Sequence, residues 1–331
     1  MCSLKSSLDP ISPIESQKHP SSPSPPEIPE NPPPGPPSFF LPSPITIRWA
    51  HAPGQAARPG SSSFSPASAV TPTVDPPRSD YDAISRYYDR VRGFGPTYHA
   101  GWVEAIVRHG GLRDRRRVLD VGCGTARYTA ILAAKLGRPI VGLDLSAGML
   151  ERALLRAASG DAELRLVQGD ALSLPFREGS FDAATLFLVV HHLKDHRRLG
   201  GELLRVLAPG GRALVMTRDH DEIEGSYIAL FPGVLEIDLA RFPRVDRLEA
   251  DLRAAGLVNV SHAREENPGY SMTLDEVMAR VDGKFISTLS LMAEEEFARS
   301  REAFRERLVA RYGKGPVPTA SFTFVWAERP A

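Results

Sequence analysis

Cysteine is almost missing from this chain: two in 331 residues, Cys2 and Cys123, too far from any paired pattern to build a disulfide framework. That scarcity points to a reducing compartment, and the chain is expected to be cytoplasmic. Long apolar runs are also lacking, since no stretch approaches the eighteen or so residues that span a bilayer. The first thirty residues hold no basic start followed by an apolar core, and Asp9, Glu15, Glu27 and Glu30 speak against an organelle transit peptide. Net charge is absent as well: forty Lys and Arg balance forty Asp and Glu, which leaves no whole-chain footprint for nucleic acid. The local run Arg113-Asp114-Arg115-Arg116-Arg117 reads as a solvated loop.

Proline is plentiful but confined. Twenty of thirty prolines fall in residues 1–78, among many serines and with almost no periodic apolar pattern. So little apolar surface cannot offset an ordering entropy of about 1–2 kcal/mol per residue, so residues 1–78 are expected to be a disordered Pro/Ser-rich extension. Residues 31–37 have a polyproline II composition, but a solvated tail is the simpler reading. Residues 79–331 are expected to form one domain.

The chemistry begins at Val118-Leu119-Asp120-Val121-Gly122-Cys123-Gly124-Thr125-Ala126-Arg127-Tyr128-Thr129, a short apolar strand, a glycine turn and a helix start. Glycine at 122 and 124 lets the backbone bend sharply and approach a ligand, while the helix N-terminus offers free amides. The dinucleotide fingerprint requires a third glycine where Arg127 stands, which argues against NAD. A second buried strand ends in Asp144, 22 residues after Gly122, where a carboxylate can accept from ribose hydroxyls. Ser146 is the expected N-cap of the helix that follows. A third strand ends near Asp170, a fourth runs from Phe181 towards His191 and His192, and residues 202–217 read as a helix, a Pro209-Gly210 turn and a fifth strand.

These motifs, in this order, resemble the class I S-adenosylmethionine-dependent methyltransferases, in particular the small-molecule branch called methyltransferase type 11. The family's acidic-x-Gly-x-Gly-x-Gly motif is read here as Asp120, Gly122, Gly124 and Ala126, with alanine a mild departure. The resemblance covers about 140 residues, 81 to 217, and includes the upstream Tyr87-Tyr88-Asp89. It implies a Rossmann-like α/β fold: a seven-stranded, mostly parallel sheet with helices on both faces and an antiparallel last strand. It also implies S-adenosylmethionine as cofactor and a small-molecule acceptor methylated on carbon, oxygen or nitrogen by in-line displacement, without a metal. Paucity of cysteine argues against arsenite as the acceptor.

In residue terms, the resemblance implies that Asp120 organises the methionyl ammonium and that Gly122 and Gly124 admit the cofactor. Asp144 would hold the ribose, Leu145 and Ala171 would border the adenine, and Asp170 would accept from its amino group. Phe187 and Leu188 would meet the methionine portion, and Tyr87 or Tyr88 would cap the cofactor. His191, His192 and His220 are the candidate bases for an acceptor that must lose a proton. The alternatives are a non-catalytic S-adenosylmethionine-binding protein and, less favoured, an NAD-dependent oxidoreductase.

Downstream, Leu248, Leu252 and Ala255 before Gly256 mark a helix, residues 258–263 a strand and residues 321–328 a last strand. Between those strands, residues 273–281 and 294–312 have helical character, too long an insertion for a hairpin loop. Residues 268–316, with the helices of 81–110, are expected to form a lid over the acceptor pocket.

Overall fold

The computed structural model describes Arg48–Trp49, five residues of a helical segment (81, 82, 85, 88 and 89), and residues 96–331 except 159, 161, 162, 267–269 and 320. Apart from residues 48 and 49, the expected extension 1–78 lies outside the described residues, as does Tyr87.

Strands β2 (Val118–Val121), β3 (Ile140–Asp144), β4 (Leu164–Gln168), β5 (Phe181–Phe187) and β6 (Leu207–Thr217) pair in parallel. Every residue of β2 is buried, as expected of a strand covered on both faces. Strand β10 (Phe322–Glu328) lies antiparallel between β6 and β7 (Val258–Glu265). With β1 (Arg48–Trp49) at one edge, the order is β1-β4-β3-β2-β5-β6-β10-β7. These seven strands are the expected sheet. An eighth, β1 (Arg48–Trp49), pairs with β4 and comes from the segment expected to be disordered. After β2 the chain builds first to one side (β3, β4) and then to the other (β5, β6). The switch point opens above the carboxyl ends of β2 and β5, where α/β sheets bind ligands.

Helices α1 (Pro96–Gly110), α2 (Arg127–Leu136) and α3 (Ala147–Ala158) pack one face through Trp102, Ile106, Leu132 and Leu150. Helices α4 (His196–Val206) and α7 (Val245–Ala254) cover the other through Leu199, Leu203, Leu248 and Leu252. Ser146 caps α3 as expected, its hydroxyl accepting from the Met149 amide at 3.1 Å. The turn at Pro209-Gly210 takes another form. Helix α4 runs directly into β6, and Gly210, at φ 69°, sits in an irregularity where the β5–β6 register shifts. The basic run is largely exposed, as expected of a solvated loop, and two of its arginines are engaged. The Arg117 guanidinium donates to Asp182 Oδ1 at 2.6 and 3.1 Å, and Arg115 donates to the Asp182 and Gly210 carbonyls, clamping the amino ends of the strands far from the switch point.

A third cluster caps the carboxyl edge. It unites Phe231, just before α6 (Val234–Arg241), with Val234 of α6, Val277 and Val281 of α8 (Leu274–Asp282), Leu289 of the turn Ser287–Leu291 and Phe297, Phe304 and Leu308 of α9 (Glu294–Tyr312). Residues of the expected lid segment, 268–316, pack in this cluster with the turn Tyr227–Leu230 and α6, which follow α5 (His220–Gly225) after β6. A two-stranded ribbon, β8 (Ser271–Met272) with β9 (Val317–Pro318), closes the base of the insertion. Among the described residues, no helix is long and apolar enough to cross a membrane.

Helices α4 and α7 meet at Gly200, where an added Cβ would stand 2.6 Å from the Cβ of Ala255. Gly200→Ala is expected to lower stability by about 1–3 kcal/mol by overpacking. In an Ala255→Gly background the same change is expected to be neutral or stabilising, because relief of the clash leaves the helix-propensity gain of about 1 kcal/mol. Urea titration of the four proteins checks it, and equal costs in both backgrounds would contradict the packing argument.

Candidate cofactor and acceptor site

The glycine turn after β2 is fastened to the end of β3. Amides of Gly122 and Cys123 donate to the Leu143 carbonyl at 2.7 and 2.9 Å, and the Gly124 amide donates to Asp144 Oδ2 at 2.8 Å. The other carboxylate oxygen, Oδ1, accepts from the Ser146 amide at 2.9 Å. Gly122 has φ 72°, and a Cβ there would fall 2.5 Å from Val189, so glycine is required. At Gly124 nothing lies within 4 Å of that position, and the space is open for a ligand. Ala126 sits at φ 58° as the N-cap of α2, a left-handed conformation that glycine would adopt without strain. Burial raises the Asp144 pKa against the lowering effect of its backbone donors.

Asp120 is 1% exposed, and its carboxylate accepts from Thr129 Oγ1 at 2.5 Å and Thr185 Oγ1 at 3.2 Å. Burial pushes its pKa up to about 7. This side chain braces β2 against α2 and β5. Asp170 folds back on its own loop, accepting from the Leu172 amide at 2.8 Å, and Leu145 is 67% exposed beside it. From above, Asp89 accepts from Thr125 Oγ1 at 2.6 Å and pairs with Arg156 at 2.8 Å, while Asp82 accepts from the Ser146 hydroxyl and the Gly148 amide. The helical segment holding Tyr81 and Tyr88 is thereby tied across the turn.

A cavity of about 470 Å³ runs along this edge, a volume suited to small ligands. Tyr88, Asp120, Gly122, Gly124, Asp144, Leu145, Asp170, Ala171 and Phe187 all line it, together with Leu188, His191 and His192. His220 does not. It opens α5, and its Nε2 lies 2.9 Å from the Phe242 carbonyl, which ties the ring to the α6–α7 connection. His192 is also committed. An Arg241 nitrogen stands 3.1 Å from its Nδ1, and a guanidinium only donates, so Nδ1 accepts and the Nε2 proton points at the Tyr81 hydroxyl 2.8 Å away. His191 stacks on Phe242 with centroids 4.0 Å apart.

The far end of the cavity is walled by Tyr98, Tyr227, Met272, Phe285 and Phe322, with Arg218, Asp238 and Thr288 among them. Arg218 and Asp238 are buried, at 8% and 3% exposure. Thr288 donates to Asp238, whose pKa burial raises. The sequence reading passed over both. Arg218 had a signal, because it directly follows a parallel strand at the ligand-binding edge. Asp238 had a weaker one, an acid inside the apolar run Val234-Leu235-Glu236-Ile237-Asp238-Leu239.

Residues 119–215 match the family model described as a methyltransferase domain. A demethylmenaquinone methyltransferase of Clavibacter sepedonicus is 31% identical over 207 residues, covering 55% of this chain and 82% of that protein. One from Staphylococcus aureus is 33% identical, covering 54% and 84%. The chain belongs to the class I S-adenosylmethionine-dependent methyltransferases. A further relative of the same name, from Lysinibacillus sphaericus, is 31% identical, and the chain spans 65% of its length. Among solved structures, a putative methyltransferase from Anabaena variabilis has TM-score 0.55 at 18% identity, covering 70% of this chain and 99% of that one. A Haemonchus contortus phosphoethanolamine N-methyltransferase complex has TM-score 0.53 at 22% identity, covering 76% and 58%. Both share the fold.

The residues of this methyltransferase fit its cofactor. The space at Gly124, the Asp144 carboxylate at the β3 end and the exposed Leu145 beside Asp170 supply room, a hydroxyl acceptor and an apolar surface. Among the described residues, no cluster of His, Cys, Asp or Glu could hold a metal ion.

The raised pKa of Asp120 makes a stability prediction. The folded carboxyl holds its proton more tightly than the unfolded one. Its stabilising contribution is therefore complete below the ordinary value of 3.8 and is lost as pH rises through about 7. Asp120→Asn keeps an oxygen for the threonines without the charge. Its melting temperature is expected to fall less than that of the native protein between about pH 5 and pH 8. Parallel slopes in thermal melts would refute this.

Proposed function

We propose that this protein transfers the methyl group of S-adenosylmethionine to a small, flat, largely apolar acceptor, with the quinol-like rings handled by its curated relatives as the model class. The observation that carries the reading is the continuity of one cavity, from the Gly122–Gly124 turn to the aromatic chamber under the lid. Bound S-adenosylmethionine supplies a methyl already activated by a positive sulfonium. The chain's own task is to align a nucleophile with that carbon and exclude water, positioning that can be worth about 7–11 kcal/mol.

In this reading Asp144 accepts from the ribose hydroxyls while staying fixed by the Gly124 and Ser146 amides. Leu145 and Ala171 sandwich the adenine, and Asp170 accepts from its amino group. Phe187 and Leu188 flank the methionine portion, and Asp120 acts from beneath through the turn rather than by direct contact. Tyr88 covers the turn, with the Arg127 guanidinium 5.5 Å from its ring centre. His191 and His192 stand at the cavity wall as candidate bases, with His192 in the tautomer that directs its Nε2 proton to Tyr81. His220 serves the α6–α7 connection instead. Residues 79–331 act as the catalytic domain and 1–78 as an appended segment. Cysteine usage favours the cytoplasm as the place of reaction.

The test is transfer of label from methyl-tritiated S-adenosylmethionine to a panel of naphthohydroquinones and substituted phenols. Label is expected in an extractable small molecule, and Asp144→Ala is expected to cut transfer by about 100-fold or more through lost cofactor affinity, since both ribose bonds are charge-assisted. Tight binding of S-adenosylhomocysteine without transfer to any panel member would overturn the small flat acceptor.

A further inference from the structure

Arg218 is buried in a way the fold alone does not explain. It follows β6 immediately, is 8% exposed and lines the far half of the cavity. Its Nη2 donates to the Glu222 carbonyl at 2.7 Å, while its Nε is buried with no acceptor among the described residues. No carboxylate among the described residues stands within ion-pair distance of it. The two acids that act on it, Asp238 and Glu222, do so only through the longer-range field. Glu222 Oε2 accepts from the Asp219 amide and Thr323 Oγ1, each at 2.7 Å, its buried Oε1 has no hydrogen-bond partner among the described residues and lies 3.5 Å from Arg264 Nε, and Asp238 accepts from Thr288. A guanidinium carries five donors and keeps its charge in any protein environment. Burial without a partner is strongly unfavourable, so such a group persists where something else completes its hydrogen bonding.

The surroundings say what that something is. The chamber around Arg218 presents Tyr98, Tyr227, Met272, Phe285 and Phe322, a wall for a flat apolar body, and the acid that shares this wall, Asp238, is bonded to Thr288 and disfavoured as an anion by burial. We propose that Arg218 is an acceptor anchor: it binds an anionic oxygen, a carboxylate or a deprotonated hydroxyl, carried on the flat apolar ring that fills this chamber. The inference rests on the methyltransferase reading only for naming that ring the acceptor. The anchoring itself is a property of the cavity. Arg218 thus sets specificity, favouring acidic acceptors over neutral rings of the same shape.

Isothermal calorimetry on the full chain tests it, with and without saturating S-adenosylhomocysteine, using 2-naphthoate, 2-naphthol and the neutral isostere 2-naphthamide. The native protein is expected to bind 2-naphthoate or ionised 2-naphthol about tenfold or more tighter than 2-naphthamide, as a charge-assisted bond to a buried guanidinium should give. A carboxylate source gives a preference independent of pH above neutrality. A hydroxyl source gives 2-naphthol affinity that climbs with pH. Arg218→Met is expected to erase the preference and leave S-adenosylhomocysteine affinity unchanged, and Arg218→Lys to restore part of it. Equal affinity for all three probes in the native protein overturns the proposal, and this comparison needs no variant to fold. A preference that survives in Arg218→Met overturns it equally. Loss of S-adenosylhomocysteine binding alone would strike the methyltransferase reading, because the probe ranking is measured without it as well.

Discussion

One carboxylate holds the working edge of this protein together. Asp144 stands at the carboxyl end of β3 and accepts from the amide of Gly124, in the turn after β2, and from the amide of Ser146, at the start of α3. Two loops from adjacent parallel strands are thus fixed to one charged group, and the turn takes its shape before any ligand arrives. The carboxylate is buried, which disfavours its charge. The backbone donors favour it, and a carboxylate whose two oxygens offer about four lone-pair sites, with one backbone donor on each oxygen, keeps capacity for a sugar. Preorganisation of this kind reduces the ordering cost of binding.

Around that anchor the protein concentrates polar groups in a region that hydrophobic packing would otherwise fill. Asp120, Asp238 and Arg218 are all buried near the cavity, and each is treated differently. Two threonines satisfy Asp120, which works as a brace. Asp238 is held by Thr288 from the lid. Arg218 is left with donors to spare. The lid elements themselves pack through a separate apolar cluster that shares few residues with the sheet's two cores. That arrangement brings Phe285, Ser287 and Thr288, far along the chain, to the same cavity as Gly122.

The floor of the site was legible in the sequence because its constraints are local. A glycine at φ 72° beside Val189, a carboxylate ending an apolar strand and a serine capping a helix each leave a signature within a dozen residues. The succession of strands was legible as apolar runs ending in turns or acids, the sheet they form was implied by the family resemblance, and α8 and α9 showed as segments of helical character. What failed to show was set by distant contacts. His220 looked like a base from its position after a strand, but the carbonyl that holds it comes from Phe242, 22 residues on. The participation of residues 227–237 in this cluster depends on packing against α8 and α9, which no local period encodes. Two residues of the proline-rich segment, Arg48 and Trp49, join the sheet edge through backbone pairing, which leaves little mark on side-chain pattern.

The central claim is that the turn after β2, fastened to Asp144, seats the sulfonium nucleoside. Amide hydrogen exchange with and without saturating S-adenosylhomocysteine measures this directly. The account predicts slowed exchange concentrated in residues 121–128, 143–149 and 169–172. Unchanged exchange in all three segments while the ligand is bound, with protection appearing elsewhere, would contradict it.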